Sequence, residues 1–135
     1  MLSITRRYTF AAAHQLAHPD WDPGRNAAVY GRCANPHGHG HNYLLFVTVT
    51  GERDARTGML VDLAAMDRVV GERVLSRLDH RFLNLEIGRF RTTVPTSEAL
   101  CHFVWDELCV ALAPARLVRI LLYETENNCF EYRGD

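Results

Sequence analysis

Residues 41–51, HNYLLFVTVTG, carry an unbroken run of aromatic and branched side chains from Tyr43 to Thr50. A run of that composition belongs on a pleated sheet. In an extended strand Tyr43, Leu45, Val47 and Val49 face one way, and Leu44, Phe46 and Thr48 the other. One strand cannot satisfy its own backbone, so its partners must lie elsewhere in the chain. LSITRRYTF at the start alternates with Ile4, Arg6, Tyr8 and Phe10 on one face, which predicts a first strand running into AAAHQLAH. ARLVRILLYET and NCFEYRG predict two more, joined by the short polar ENN in the manner of a hairpin.

Between these strands the period changes. After the turn ERDARTG, the segment MLVDL is expected to return as a short strand. From Leu63 the apolar positions Met66, Val69, Val70, Val74 and Leu78 fit a helical stripe. Residues 79–95 read as irregular. Pro-Thr-Ser-Glu at 95–98 opens a second helix whose stripe is Leu100, Phe103, Val104, Leu108 and Leu112, with Pro114 as its stop. Residues 19–36 carry Pro, Asp, Gly and Asn repeatedly and predict a long loop, of a kind uncommon in small domains unless it has work to do. The order β, β, β, α, α, β, β predicts an α+β domain with a mainly antiparallel sheet and helices on one face, and 135 residues make one domain over 1–135. The free edges of such a sheet predict an oligomer.

The net charge of −1 gives no reason to expect nucleic acid or an anionic membrane as partner, and all fifteen basic residues are arginine. No run approaches the roughly 18 apolar residues of a membrane span. The start, MLSITRRYTF, has no continuous apolar core of a signal peptide. The four cysteines, at 33, 101, 109 and 129, form no CxxC pair, which suits a reducing, cytoplasmic compartment.

The chemistry concentrates in CANPHGHGHNY, residues 33–43. On a strand His39 and His41 point to the same side, and neutral imidazole is a good zinc ligand. His37 shares that face and His14 follows the first strand, so four histidines compete for three ligand positions and spacing does not choose among them. The bland alternative is a solvated histidine-rich loop. Cys33, beside Arg32 in a polar loop, is either a fourth ligand closing a structural site or an activated thiol. Cys101, Cys109 and Cys129 read as packing residues. Asp79 next to His80 reads either as a helix terminus or as a carboxylate that orients a base. Glu124 ends an apolar strand, where an acid is solvated or grips two adjacent N–H donors of a ligand.

Taken together, FAAAH, YGRCANPHGHGHNY, TGMLVDL, LDHRFLN, PTSEAL and YETENN resemble the 6-pyruvoyltetrahydropterin synthase family over nearly the whole chain. The resemblance implies a tunnelling fold: a four-stranded antiparallel sheet, two helices packed on one face, and subunits joined edge to edge into trimers that stack as a homohexamer. It implies Zn2+ held by His14, His39 and His41, with His37 outside the ligand set. It implies Cys33 as general base, Asp79 and His80 as a catalytic pair, and Glu124 as the acid that anchors the pterin. Thr96 and Ser97 match hydroxyl positions lining the pterin pocket. The implied activity is a lyase reaction on 7,8-dihydroneopterin triphosphate, yielding 6-pyruvoyltetrahydropterin and triphosphate for tetrahydrobiopterin-type synthesis. The sister activity is that of 6-carboxytetrahydropterin synthases in queuosine biosynthesis, where the cysteine typically stands nearer the His-x-His pair than Cys33 stands to His39 here.

Overall fold

The structure is a computed structural model that describes residues 1–135. Its frame is a hairpin of two twelve-residue strands, β1 (Ser3–His14) and β2 (His39–Thr50), in register from Ser3 opposite Thr50 to His14 opposite His39. β4 (Arg116–Thr125) pairs antiparallel with β2, and β5 (Asn128–Tyr132) pairs antiparallel with β4. The fifth strand, β3 (Arg81–Phe82), lies parallel to β1 beside Ala12 and Ala13, so the order is β3-β1-β2-β4-β5. The sheet is therefore five-stranded and mixed, where the resemblance implied four antiparallel strands. A two-residue strand has no period to read. It forms because the chain on either side of it is bonded to β1.

The alternation expected of β2 is borne out: Tyr43, Leu45, Val47 and Val49 are all buried. On β4 a bulge opposite Thr48 and Val49 adds a residue, so Leu117 and Ile120, three apart, both point inward. The helices α2 (Leu63–Val70) and α5 (Ser97–Leu108) close this face. α2 continues through a π-helical turn at Gly71–Leu75 into α3 (Ser76–Leu78). Met66, Val70, Val74 and Leu78 recur every fourth residue and drift round an ordinary helix of 3.6 residues per turn; the wider turn keeps all four buried. With Leu100, Phe103, Val104 and Leu108 they join the sheet in one 23-residue core.

Four local expectations change. MLVDL is not a strand, because the Asp62 side chain accepts the N–H groups of Ala64 and Ala65 and caps α2 instead. The loop at 19–36 contains α1 (Pro23–Tyr30), capped by Asp22 with Pro23 leading, and a 3₁₀ turn at Gly31–Ala34. Residues 79–95 hold β3, the single-turn α4 (Leu83–Glu86) and a further 3₁₀ turn at Gly88–Arg91. α5 opens at Thr96 as expected but stops at Leu108, before Pro114. No helix is long and apolar enough to cross a membrane.

α2 is tied to β1 by Asp67, which accepts from Arg6 Nε at 3.0 Å, Arg6 Nη2 at 2.6 Å and the Tyr8 hydroxyl at 2.7 Å. The Arg6 and Tyr8 donors hold the Asp67 carboxyl down at about 2, against 3.8 when free. A depressed folded-state pKa stabilises the fold above 3.8 and loses that stabilisation as pH falls towards 2. Asp67→Asn should lower the urea midpoint at pH 6, and the gap from the parent should narrow between pH 4 and pH 2.5. An equal gap at every pH would remove the carboxylate from the explanation.

Candidate functional site

The β1–β2 hairpin ends at the candidate site. His14 and His39 are opposed residues, and His41 lies opposite Ala12, so three imidazoles share the inward face where the hairpin opens. Their ligand nitrogens lie within 4.8 Å of one another. His14 is buried at 1% exposure, and its Nδ1–H donates to the Pro95 carbonyl at 2.7 Å. That bond fixes the tautomer and leaves Nε2 with a lone pair, 3.0 Å from His39 Nε2. The desolvating surroundings push His14 down to about 4, with His39 and His41 adding to the shift, and they lower His39 as well. At neutral pH His14 is thus the uncharged imidazole that a metal ligand must be.

His41 Nε2 and His39 Nδ1 are buried and have no hydrogen-bond partner. Such orphans are rare in a folded interior and need an explanation. The three rings could hold a metal ion together, and a set of three imidazoles is one that Zn2+ takes. His37 is exposed and lies outside the group, so of the four histidines the three that come together are His14, His39 and His41. Cys33 is also outside the group of three.

Gly38 makes room for this arrangement. Its φ is +74°, and a Cβ there would stand 2.5 Å from Phe82 Cε2 and 3.2 Å from the His14 carbonyl. Gly38→Ala should destabilise the protein by at least about 1–2 kcal/mol for the left-handed backbone alone. Adding Phe82→Ala should relieve the clash without removing that backbone cost. Urea midpoints of the two variants test both parts, and a midpoint for Gly38→Ala equal to the parent's would refute them.

The other candidates fall into three places. Glu124 accepts the Ser97 hydroxyl at 2.6 Å, joining the end of β4 to the first turn of α5. Its charge reaches His14, His39 and Tyr43, and it helps burial raise the Tyr43 phenol. Thr96 spends its hydroxyl oxygen capping α5, accepting Ala99 N–H at 3.3 Å. Asp79 and His80 stand at the free edge of β1: Asp79 Oδ1 accepts the Ala11 N–H at 2.9 Å, and the His80 N–H donates to the Ala11 carbonyl at 2.6 Å. His80 Nδ1 lies 3.0 Å from Asp79 Oδ1, its φ is +60°, and its ring stands 83% exposed. The Ala11 N–H, with His80 second, keeps the Asp79 carboxyl below its usual range. Asp79 is also the C-cap of α3, its N–H donating to the Leu75 carbonyl at 2.9 Å, so the helix-terminus reading holds and the Asp-His contact stands beside it.

Cys33 is a free, half-buried thiol on the 3₁₀ turn. That turn is fixed to the residues following His14, for Leu16 N–H donates to the Cys33 carbonyl at 2.9 Å and Gln15 Nε2 to the Ala34 carbonyl at 3.0 Å. An open groove of about 500 Å³ is lined by His80, Arg81 and Phe82 together with the β1 and β2 backbone around Ala12 and His41. A smaller, mainly apolar cavity of about 240 Å³ lies under the 54–62 segment. Its acids, Asp54 and Asp62, are occupied by backbone N–H groups of their own turns, so it offers no comparable chemistry. Sequence reasoning missed the Pro95 carbonyl and the Gly38–Phe82 contact. The positive signal for the second was the glycine itself.

Comparison with known proteins adds a second kind of observation. The family model described as 6-pyruvoyl tetrahydropterin synthase matches residues 3–135. The 6-pyruvoyl tetrahydrobiopterin synthase of Homo sapiens is 37% identical over 132 residues, spanning 98% of this chain and 91% of the relative. A protein of Archaeoglobus fulgidus, provisionally named a 6-carboxy-5,6,7,8-tetrahydropterin synthase, is 31% identical over 125 residues, spanning 93% of this chain and 90% of its own. The structure of Caenorhabditis elegans 6-pyruvoyl tetrahydropterin synthase superposes with a TM-score of 0.93 at 35% identity, over 99% of this chain and 96% of that one.

Proposed function

This chain belongs to the 6-pyruvoyl tetrahydropterin synthase family of enzymes, and from that premise we propose that it converts 7,8-dihydroneopterin triphosphate to 6-pyruvoyltetrahydropterin and triphosphate as a zinc-dependent lyase. The observation that carries the zinc part is the cluster of His14, His39 and His41 nitrogens within 4.8 Å. Those three residues would hold Zn2+, which when bound supplies positive charge that acidifies a neighbouring C–H bond of the substrate side chain.

The chain's own residues do the rest. Cys33 takes the proton from the side-chain carbon as thiolate, and an efficient base is one whose pKa is near the working pH. His80 Nδ1 stands 3.0 Å from Asp79 Oδ1, a contact that would orient the ring and leave Nε2 to accept or return a proton. Glu124, oriented by Ser97, accepts the two neighbouring N–H groups of the pterin, a paired contact that selects for that ring edge. Triphosphate leaves, and hydrogen moves from side chain to ring with no outside reductant. The unpaired outer edges of β3 and β5 support assembly edge to edge into a homohexamer of one-domain subunits, testable by native mass spectrometry.

The relationship to the archaeal protein gives the second reading its footing, a 6-carboxytetrahydropterin product from the same substrate. One incubation separates them. Zinc-loaded protein given 7,8-dihydroneopterin triphosphate should release triphosphate and a pterin with the mass of the pyruvoyl product. Release of acetaldehyde with a carboxypterin would establish the second reading, and unchanged substrate would overturn both.

A further inference from the structure

Beyond Asp79 and His80, the motif LDHRFLN contains Phe82 and Asn84, to which the proposed chemistry gives no task. Phe82 packs on Gly38. Asn84 does something more specific: its Oδ1 accepts the Gln15 N–H at 2.8 Å and its Nδ2 donates to the Gln15 carbonyl at 2.9 Å. One side-chain amide thus occupies both backbone groups of the residue directly after His14. A carboxamide carries its acceptor and its donor on separate atoms of one planar group, which suits this pairing with a backbone N–H and C=O.

Gln15 carries the connection onward. Its side-chain Nε2 donates to the Ala34 carbonyl at 3.0 Å, and the next residue, Leu16, donates its N–H to the Cys33 carbonyl at 2.9 Å. The segment 79–84 therefore grips β1 at Ala11 through Asp79 and His80, at Ala12 and Ala13 through β3, and at Gln15 through Asn84. What it grips is the stretch that carries His14 and then the Cys33 turn. We propose that Gln15 and Asn84 are positioning residues that set where the Cys33 turn stands relative to the three imidazoles. The proposal rests on the reading of Cys33 as the base.

Neither residue touches the reacting atoms. Their effect acts through geometry, and a displacement of about 1 Å in a reacting group can cost a hundredfold in rate. Gln15→Met keeps length and backbone but removes the donor to Ala34. It should lower kcat about tenfold while KM stays within about twofold and zinc content is unchanged. Gln15→Lys, which restores a donor, should recover most of that rate. Asn84→Leu, which leaves both Gln15 backbone groups without their partner, should cost more than Gln15→Met.

A second readout does not depend on turnover. Iodoacetamide labelling, followed peptide by peptide, should change at Cys33 by at least about threefold in Gln15→Met, with the exposed Cys109 and Cys129 as internal controls. An unchanged Cys33 labelling rate together with parental kcat in Gln15→Met would overturn the proposal, as would a kcat loss matched by lost zinc or one that Gln15→Lys does not reverse. A Cys33→Ala variant that turned over normally would instead overturn the base assignment, and the labelling would still report whether Gln15 holds the turn.

Discussion

His41→Ala is expected to release the metal and lower turnover by more than about a thousandfold, a loss of about 4 kcal/mol in transition-state stabilisation. The reason is the state of the His41 ring. Its Nε2 is buried without a partner, which costs free energy in the bare fold and would be offset by a cation bound there. Two imidazoles, His14 and His39, would remain, and two neutral nitrogens are too few for a catalytic zinc site. Metal analysis and kcat should fall together. A chelator should lower the melting temperature of the parent and leave that of His41→Ala unmoved, because a ligand bound only to the folded state stabilises it in proportion to its affinity. His37→Ala is the control, since that residue is exposed and outside the cluster, and it should keep both zinc and rate. Full zinc content in His41→Ala would remove the metal centre as described.

The parts of this site legible in the sequence were those with a short-range signature. His39 and His41 share a strand face by simple alternation, and the aromatic and branched run that follows them fixes which face is inward. The helical stripes were legible for the same reason, although Met66, Val70, Val74 and Leu78 needed a π-helical turn that no spacing rule announces. The membership of His14 came from resemblance, and its physical basis is a register, His14 opposite His39, that only the folded hairpin displays. What stayed hidden was held by long-range hydrogen bonds. Asn84 meets Gln15 across 69 positions of sequence, and His14 meets the Pro95 carbonyl across 81. Neither leaves a period or a composition behind it. β3 is the same case in miniature: Arg81 and Phe82 become a strand because Asp79 and His80 have already bonded to Ala11. The short helix α1 was hidden differently, since its Pro-Gly-Arg-Asn opening scores as a turn until the Asp22 cap is seen.

Cys33→Ala should separate the two halves of the proposed chemistry. Zinc content should survive, because the ligand group closes on three imidazoles without sulfur. Turnover should fall by about 10³-fold, within the span expected when a general base is deleted. KM should change little, since the proposed pterin contacts, Glu124 and Ser97, lie on β4 and α5 and not on the turn that carries the thiol. That pattern, kcat lost with binding and metal kept, is the signature of a group that acts only in the transition state. Serine at the same position should be nearly as poor, for an alcohol is far too weak an acid to supply the anion at neutral pH. Cys109→Ala, at the exposed end of α5, should leave the rate as it was. Two outcomes would redraw the site: zinc lost from Cys33→Ala would make the sulfur a ligand that moves in when metal binds, and undiminished turnover would shift the proton to His80, whose Nδ1 faces Asp79 at 3.0 Å.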